Sequence, residues 1–206
     1  MRITVFGSTG RTGSKVLAEG LRRGHEITAF TRRPDALTEP SASALAAVVR
    51  GDGRDPVSVR KASAGADAVI AIISSGSRKG PHQAEEVSRQ LVRQMADLGV
   101  RRLVITSAYP IVADRPRLPI TLLRWFLAAA YADAAAMARI VSASDLDWTI
   151  AYLNRLTDKS PIGQVRISRE QFEKPSSLSR ADAAAALLDI AENATLARTA
   201  VNVAGP

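Results

Sequence analysis

The 206-residue sequence contains no cysteine and only two histidines, His25 and His82. A disulfide framework, a thiolate metal site and a cysteine nucleophile are therefore excluded, and we expect no metal centre. A chain of this length buries about 70% of the surface that it exposes when unfolded, so one core needs neither metal nor disulfide. We expect a single domain over residues 1–206.

Aromatic residues make up only 4% of the chain, although its net charge is +8. A basic protein suits nucleic acid, a membrane surface or an anionic small molecule. The scarcity of aromatics and the lack of any RNP, helix-turn-helix or zinc pattern argue against nucleic acid as a partner. An anionic small molecule remains.

Long uncharged apolar runs are also missing. The most apolar stretch, residues 118–141, contains Arg124, Asp133 and Arg139, whereas a membrane span needs about 20 nearly uncharged residues. The first residues lack the apolar region and the small-residue cleavage site of a signal peptide. We therefore expect a cytoplasmic protein that makes no contact with a membrane.

Short β-branched runs alternate with longer helical patterns, which predicts an α/β fold with a doubly wound, mostly parallel sheet and helices on both faces. The predicted strands are 2–6, 25–30, 46–50, 68–73, 103–106, 148–153 and 200–203, and the predicted helices are 13–23, 56–63, 81–98 and 180–193, with a further helix or broken pair within 118–144. The irregular segments 74–80 and 154–179 follow strands, and we expect them at the edge of the sheet where substrates bind.

A glycine-rich loop follows the first predicted strand and opens the first predicted helix. It consists of Gly7, Ser8, Thr9, Gly10, Arg11, Thr12 and Gly13. Gly7 permits a tight turn, Gly10 lets backbone N–H groups approach a pyrophosphate, and Gly13 lets the helix pack on the sheet. The helix N-terminus then faces the anion, so the loop predicts a dinucleotide site. A ligand-free glycine-rich turn is the alternative.

The second predicted strand ends at Phe30-Thr31-Arg32-Arg33 without the acidic residue that would bind the ribose 2′-hydroxyl of NAD. Guanidinium groups suit the 2′-phosphate of NADP in charge and in geometry. We therefore predict that Arg32 and Arg33 select NADP(H) over NAD(H), and that Arg11 contributes to the same pocket. The alternative is that both arginines belong to a solvated turn.

Seven segments together resemble one protein family. They are the glycine loop, Thr31-Arg32-Arg33, Gly51-Asp52, Thr106-Ser107-Ala108, residues 144–150, Arg155-Leu156-Thr157-Asp158 and the pair 167–168 with 179–182. The set is similar to the atypical short-chain dehydrogenases, and within them to the NmrA-like and the biliverdin-IXβ-reductase or flavin-reductase proteins. The resemblance implies a Rossmann-type NAD(P)-binding domain over almost the whole chain.

The resemblance also implies positions along the cofactor. It puts Gly51 and Asp52 near the adenine, Ser74 and Ser75 along the cofactor, and Ser107 beside the nicotinamide. Leu153 and Asn154 stand at the nicotinamide end. The family's usual Arg-Pro, followed by Gly or Pro, is replaced here by Tyr152-Leu153-Asn154.

The Tyr–Lys dyad of typical short-chain dehydrogenases is missing, because Tyr131 and Tyr109 are followed four residues later by Ala135 and Ala113. Hydride transfer to a planar conjugated acceptor, such as a flavin, quinone or tetrapyrrole, needs little acid–base help from the protein. Together with the resemblance to biliverdin-IXβ and flavin reductases, this predicts an NADPH-dependent reductase of such an acceptor. A flavin would then be one of its candidate substrates and not a bound prosthetic group.

Three residues are candidates for a catalytic role at the acceptor. Ser107 would hydrogen-bond near the nicotinamide or the acceptor, Tyr109 would form a wall or donate a proton, and Arg155 would bind an anionic substrate. The alternatives are that Ser107 only caps a strand, that Tyr109 packs in a turn, and that Arg155 lies on the surface.

A non-catalytic NADP(H)-binding redox sensor of the NmrA type is the other functional hypothesis. The missing dyad is compatible with it, while the short chain argues against it because such sensors resemble longer proteins. The apolar faces of helices 81–98 and 118–144 are equally compatible with a monomer and a homodimer.

Overall fold

A computed structural model describes residues 1–38, 41–73, 83–109 and 127–206. The strands are Arg2–Phe6 (β1), Glu26–Thr31 (β2), Ala47–Arg50 (β3), Ala68–Ala71 (β4), Arg102–Ala108 (β5), Asp147–Leu153 (β6), Leu156–Thr157 (β7), Arg166–Ser168 (β8), Leu178–Ser179 (β9) and Thr199–Ala204 (β10). The helices are Gly13–Arg22 (α1), Ser41–Ala44 (α2), Pro56–Ser63 (α3), Ala84–Leu98 (α4), Ala128–Ser142 (α5) and Arg180–Glu192 (α6), with 3₁₀ turns at Pro34–Ala36 and Ala194–Leu196.

The main sheet has the strand order β3-β2-β1-β4-β5-β6-β10-β8. All its neighbours are parallel except β8, which runs antiparallel to β10. The chain winds outward from β1 to β3 and then returns to β4 on the other side of β1, so the winding direction reverses between β1 and β4. The predicted doubly wound α/β fold is confirmed. Such a reversal opens a crevice at the carboxyl ends of the two strands.

Helices cover both faces of the sheet, which is why its central strands are almost continuously apolar. On one face, Val16 and Leu17 of α1 and Leu187 of α6 are buried against the sheet. On the other face, Val87, Leu91 and Met95 of α4 are buried. The predicted apolar stripe of this helix is therefore confirmed, and Gly99 ends it with a φ of +70°.

Two polar side chains from neighbouring elements bind backbone groups at helix ends that would otherwise be left unpaired. Asp133 of α5 accepts hydrogen bonds from the N–H groups of Ala84 and Glu85 at 2.9 Å and so caps α4. Arg102 of β5 is buried and donates to the carbonyls of Ile190 and Ala191 in the last turn of α6. Burial lowers the pKa of Arg102.

The expectation that residues 154–179 have no regular structure was wrong in part. The segment contains β7, β8 and β9, and β7 pairs with β9 in a small separate parallel ladder. Strands of two or three residues are too short to show a period of two in the sequence. The predicted helix over 118–144 is described only from Ala128, and the predicted start of α4 at Pro81 lies outside the described residues. Among the helices of the described part, none is long and apolar enough to cross a membrane.

Candidate functional site

The glycine loop lies at the carboxyl end of β1, where the winding of the sheet reverses. Gly7 has a φ of +76°, and a Cβ at this position would lie 2.2 Å from the Ile72 carbonyl oxygen. A Cβ at Gly13 would lie 2.1 Å from the Gly7 carbonyl oxygen. Both positions therefore require glycine for the fold itself.

Gly10 differs from these two glycines. Among the described residues, a Cβ here would meet one atom within 4 Å, the Gly7 carbonyl oxygen at 3.1 Å. Gly10 borders both of the cavities described below. The described part of the chain thus leaves open the space beside its Cα, as a closely approaching ligand requires.

Two hydroxyl side chains tie the loop to β2. Ser8 is buried and its Oγ donates to the Phe30 carbonyl at 2.9 Å. The Oγ1 atoms of Thr9 and Thr31 lie 2.9 Å apart. Thr12 precedes α1 and makes no side-chain capping bond there. The hydrogen bond of Ser8 therefore holds the loop against β2.

The first cavity, of about 440 Å³, lies on the β2 and β3 side of the loop. Its described lining is Phe6, Gly7, Thr9, Gly10, Phe30, Thr31, Arg32, Arg33, Gly51, Asp52, Gly53, Ile72, Ile73, Gln83 and Val87. Arg32 and Arg33 are exposed, and their guanidinium groups make no ion pair with any described carboxylate. This rim is therefore cationic.

Asp52 is the one acidic residue among the described lining of the first cavity. Arg54 binds it at 2.9 Å, and this hydrogen bond together with the charge of Arg54 lowers the pKa of Asp52 to about 2. Asp52 is therefore a carboxylate at neutral pH whose charge is already compensated.

The second cavity, of about 880 Å³, lies on the β5 and β6 side of the loop. Its described lining is Gly7, Gly10, Arg11, Thr12, Ile72, Ile73, Thr106, Ser107, Ala108, Leu127, Tyr131, Leu153, Asn154, Arg155, Leu156 and Arg180. Gly7, Gly10, Ile72 and Ile73 border both cavities, which therefore meet above the carboxyl ends of β1 and β4.

Ser107, at the end of β5, has an unsatisfied hydroxyl. The residue is 9% exposed, and its Oγ has no hydrogen-bond partner among the described residues. Leaving a buried hydroxyl unpaired costs about 1–3 kcal/mol. The Ser107 hydroxyl lies at a cavity wall and lacks a hydrogen-bond partner in the described part of the chain, so it is a candidate to bind a ligand.

Arg11 does not lie with Arg32 and Arg33 as expected. It borders the second cavity, where its guanidinium pairs with Asp158. Asp158 also pairs with Arg180 at 2.8 Å. Since Asp158 and Arg180 are distant in sequence from the loop, no local pattern points to this arrangement.

The remaining predicted residues fall in different places. Leu153, Asn154 and Arg155 border the second cavity, and Asn154 donates through Nδ2 to the Ser176 carbonyl at 2.6 Å. Tyr109 is 3% exposed, donates to the Phe172 carbonyl at 3.2 Å and is absent from the described lining of both cavities. Ser74 and Ser75 lie outside the described residues.

Tyr131 borders the second cavity together with Ser107. It was set aside in the sequence because no lysine follows it four residues later. Its position depends on how the start of α5 sits over the end of β5, and that packing is not visible in the local sequence.

Comparisons with known proteins show a matching family and related structures. The sequence model of a family described as NAD(P)H-binding matches residues 7–194. Cinnamoyl-CoA reductase 1 from Oryza sativa subsp. japonica is 32% identical over 122 residues, which cover 55% of this chain and 36% of that protein. The chain thus aligns with just over a third of the length of this relative.

Two solved structures share the fold over the whole chain. A short-chain dehydrogenase/reductase from Veillonella parvula DSM 2008 in complex with NADP has a TM-score of 0.84 at 19% identity, covering 100% of this chain and 94% of that one. ChuY, an anaerobillin reductase from Escherichia coli O157:H7, has a TM-score of 0.81 at 20% identity, covering 100% and 98%. At these identities the two likenesses establish the fold alone.

Proposed function

The chain belongs to the NAD(P)H-binding family whose model spans residues 7–194, and from that membership we propose that it is an NADPH-dependent reductase of a planar conjugated acceptor. One observation carries the proposal: two cavities share the glycine loop, with an arginine rim at the outer end of one and, in the other, a buried serine hydroxyl that has no partner in the described part of the chain. This arrangement suits a long anionic dinucleotide that lies across the end of the sheet.

The residues present fit such a nucleotide. Among the described residues Gly10 leaves open the space beside the loop. The N-terminus of α1, which starts at Gly13, contributes the partial positive charge of the helix dipole there. The first turn of α1 contains no acidic residue that would repel a pyrophosphate. In this proposal the adenosine half occupies the first cavity and the nicotinamide half enters the second.

The preference for NADP(H) rests on Arg32 and Arg33. Their exposed guanidinium groups at the first cavity offer bidentate hydrogen bonds to a 2′-phosphate. Asp52, which would otherwise attract a ribose hydroxyl, is engaged by Arg54. The charge balance at this rim therefore favours the additional phosphate.

The part of the proposal that concerns the acceptor depends on the second cavity. When bound, NADPH supplies a hydride, and the protein has to orient the two reacting rings and exclude water. Ser107 is placed to hydrogen-bond the nicotinamide amide or a polar atom of the acceptor. The apolar walls formed by Ile72, Leu127 and Leu153 suit the faces of a planar ring.

An acceptor of this class also agrees with the lack of a lysine four residues after Tyr131. Reduction of a flavin, quinone or tetrapyrrole places negative charge on a conjugated system, and delocalisation makes this anion much less basic than a simple alkoxide. Hydride transfer to such an acceptor therefore does not need a protein acid to protonate the product at the same time. Tyr131 is then a wall of the cavity, and its hydroxyl is not required as an acid.

The cofactor half is tested by titrating NADPH and NADH into the wild type and into Arg32→Ala and Arg33→Ala, following nicotinamide fluorescence. We expect the wild type to bind NADPH at least ~10-fold more tightly than NADH, and each variant to lose most of that difference. Arg93→Ala, on the exposed side of α4 and outside the described lining of both cavities, is the matched control. Equal affinity for both nucleotides in the wild type would overturn the NADP assignment.

The catalytic half is tested by NADPH oxidation with FMN, FAD and a panel of quinones. We expect turnover with at least one of them. Tight NADPH binding without turnover of any acceptor would contradict the reductase proposal and leave the redox-sensor hypothesis in its place.

A further inference from the structure

The second cavity is bordered by three guanidinium groups and, among its described lining, by no carboxylate. We propose that Arg155 and Arg180 form an anion-binding position for the acceptor, and that Asp158 serves there as an internal counter-ion which the acceptor's phosphate or carboxylate replaces. The proposal deepens the function proposed above and rests on it, since it assigns the chemical class of the acceptor.

Strand register sets the position of Asp158. In the small ladder Leu156 pairs with Leu178 and Thr157 with Ser179, so Asp158 and Arg180 follow at the next level. One carboxylate oxygen of Asp158 lies 2.8 Å from Arg180 Nη1, and the other pairs with Arg11. A single carboxylate is thus held between two guanidinium groups.

The exposed fractions of the two side chains show that, in the ion pair between Arg180 and Asp158, Arg180 is fixed and Asp158 is replaceable. The Arg180 side chain is 14% exposed, whereas that of Asp158 is 56% exposed. Ion pairs with an exposed partner contribute only about 0–1 kcal/mol. A phosphate carries more charge than one carboxylate, so it can compete with Asp158 for a guanidinium group that is already positioned.

Arg180 is positioned by the start of α6. Ser179 caps this helix by accepting from the Asp182 N–H at 2.9 Å, which fixes the first turn. The positive end of the helix dipole adds to the attraction for an anion beside Arg180.

Arg155 supplies a charge that no described carboxylate compensates. It is exposed at the cavity, and its guanidinium has neither an ion pair nor a hydrogen bond to any residue in the described part of the chain. Its backbone is nevertheless fixed, because its carbonyl accepts from the Leu178 N–H at 3.0 Å. The three guanidinium groups exceed the single carboxylate of Asp158 by two positive charges, which an anionic ligand would balance.

FMN and riboflavin provide the test, because they share the flavin ring and differ by one phosphate. The dissociation constants of both are measured by flavin fluorescence with the protein saturated with NADP⁺. We expect riboflavin to bind at least ~10-fold more weakly than FMN, since hydrogen bonds between charged groups are strong. Arg155→Ala and Arg180→Gln are expected to reduce this ratio to within ~3-fold of unity.

Asp158→Asn gives the opposite expectation. Removing the internal counter-ion should raise the preference for FMN over riboflavin by several-fold, because the phosphate no longer competes with a carboxylate. Asp97→Asn, an exposed change on α4, and Arg93→Ala are matched controls that should leave the ratio unchanged.

A wild-type ratio near one, the lack of FMN binding, or an unchanged ratio in Asp158→Asn would each overturn the inference. A separate NADPH titration on the same preparation distinguishes this failure from that of the proposed function. NADPH binding with equal flavin affinities would refute only the anion position, whereas a failure to bind NADPH would refute the reductase proposal itself.

Discussion

Gly7 of the loop and Ile72, which follows β4, approach so closely that a Cβ on Gly7 would lie 2.2 Å from the Ile72 carbonyl oxygen. The Ile72 N–H in turn donates to the Phe6 carbonyl at 3.0 Å. This contact closes the end of the sheet between β1 and β4. Gly7 and Ile72 border both cavities and form their shared floor.

Gly13 and Gly10 of the loop are expected to differ in role: the first is required for stability and the second for NADPH binding. Gly13→Ala places a methyl group 2.1 Å from a backbone oxygen, so we expect the free energy of unfolding to fall by more than about 2 kcal/mol. In the described part of the chain, the methyl group of Gly10→Ala meets one backbone oxygen, at 3.1 Å. The melting temperature of this variant should therefore stay close to that of the wild type while its affinity for NADPH falls at least ~10-fold. Thermal melts and NADPH titrations measure the two effects. Equal loss of stability in both variants with unchanged NADPH affinity would contradict this division.

Ser107→Ala removes a buried hydroxyl that has no described partner. We expect its stability in urea to be unchanged or slightly higher, because an unpaired polar group is lost, and kcat/KM for NADPH oxidation to fall ~10-fold or more. Ser88→Ala is the matched control. Ser88 on α4 is also buried and without a hydrogen-bond partner among the described residues, but it borders neither cavity in the described lining. If both variants retain full activity, Ser107 has no role at the reaction centre.

The carboxylate of Asp182 makes the free energy of unfolding depend on pH in the acidic range. Burial acts to raise the pKa of Asp182, but hydrogen bonds from the N–H groups of Ile162 and Gly163 and from the Ser179 hydroxyl outweigh it, and the pKa is lowered. A lowered folded pKa gives stability that is present above the unfolded pKa, near pH 4, and is lost as the pH falls through the folded value.

The test compares urea unfolding of the wild type and Asp182→Asn at pH 7 and at pH 3. We expect the variant to be less stable at pH 7 and the difference to shrink at pH 3, because the wild-type carboxylate then takes up a proton. A difference of the same size at both pH values would show that charge on Asp182 does not matter.

Asp133→Ala should weaken the junction between α4 and α5. It leaves the N–H groups of Ala84 and Glu85 without their acceptor, so we expect a loss of about 1 kcal/mol in the free energy of unfolding. Asp97→Ala removes an exposed carboxylate near the other end of α4 and should change stability by less than about 0.5 kcal/mol. Equal unfolding midpoints for the two variants in urea would show that the cap contributes nothing.

The sequence was sufficient for the elements whose pattern is local. The apolar run before Gly7 and the helical pattern after Gly13 predict the strand–loop–helix unit of β1 and α1, and the stripe of Val87, Leu91 and Met95 predicts the buried face of α4. In the strand a continuous apolar run is buried, and in the helix apolar residues at helical spacing are buried, so each pattern determines both the element and the face that it buries.

Other features depend on contacts between distant segments. Arg11 turns toward the second cavity because Asp158 lies there, and Tyr131 reaches the same cavity because of how α5 packs. The antiparallel edge strand β8 consists of only three residues, too few for a recognisable pattern. The unpaired state of Ser107 is likewise a property of its neighbours in space, which the chain near residue 107 does not reveal.

The shared floor determines how the effects of substitutions in the two cavities combine. Arg33 borders only the first cavity and Arg155 only the second in the described lining, whereas Ile72 borders both. Changes in binding free energy from Arg33→Ala and Arg155→Ala should therefore be additive in a double variant, as is usual for sites without common neighbours. A change at Ile72 is expected to disturb binding in both cavities. If the proposed function holds, cofactor choice and acceptor choice can therefore be altered separately at the two ends of the site but not at its centre.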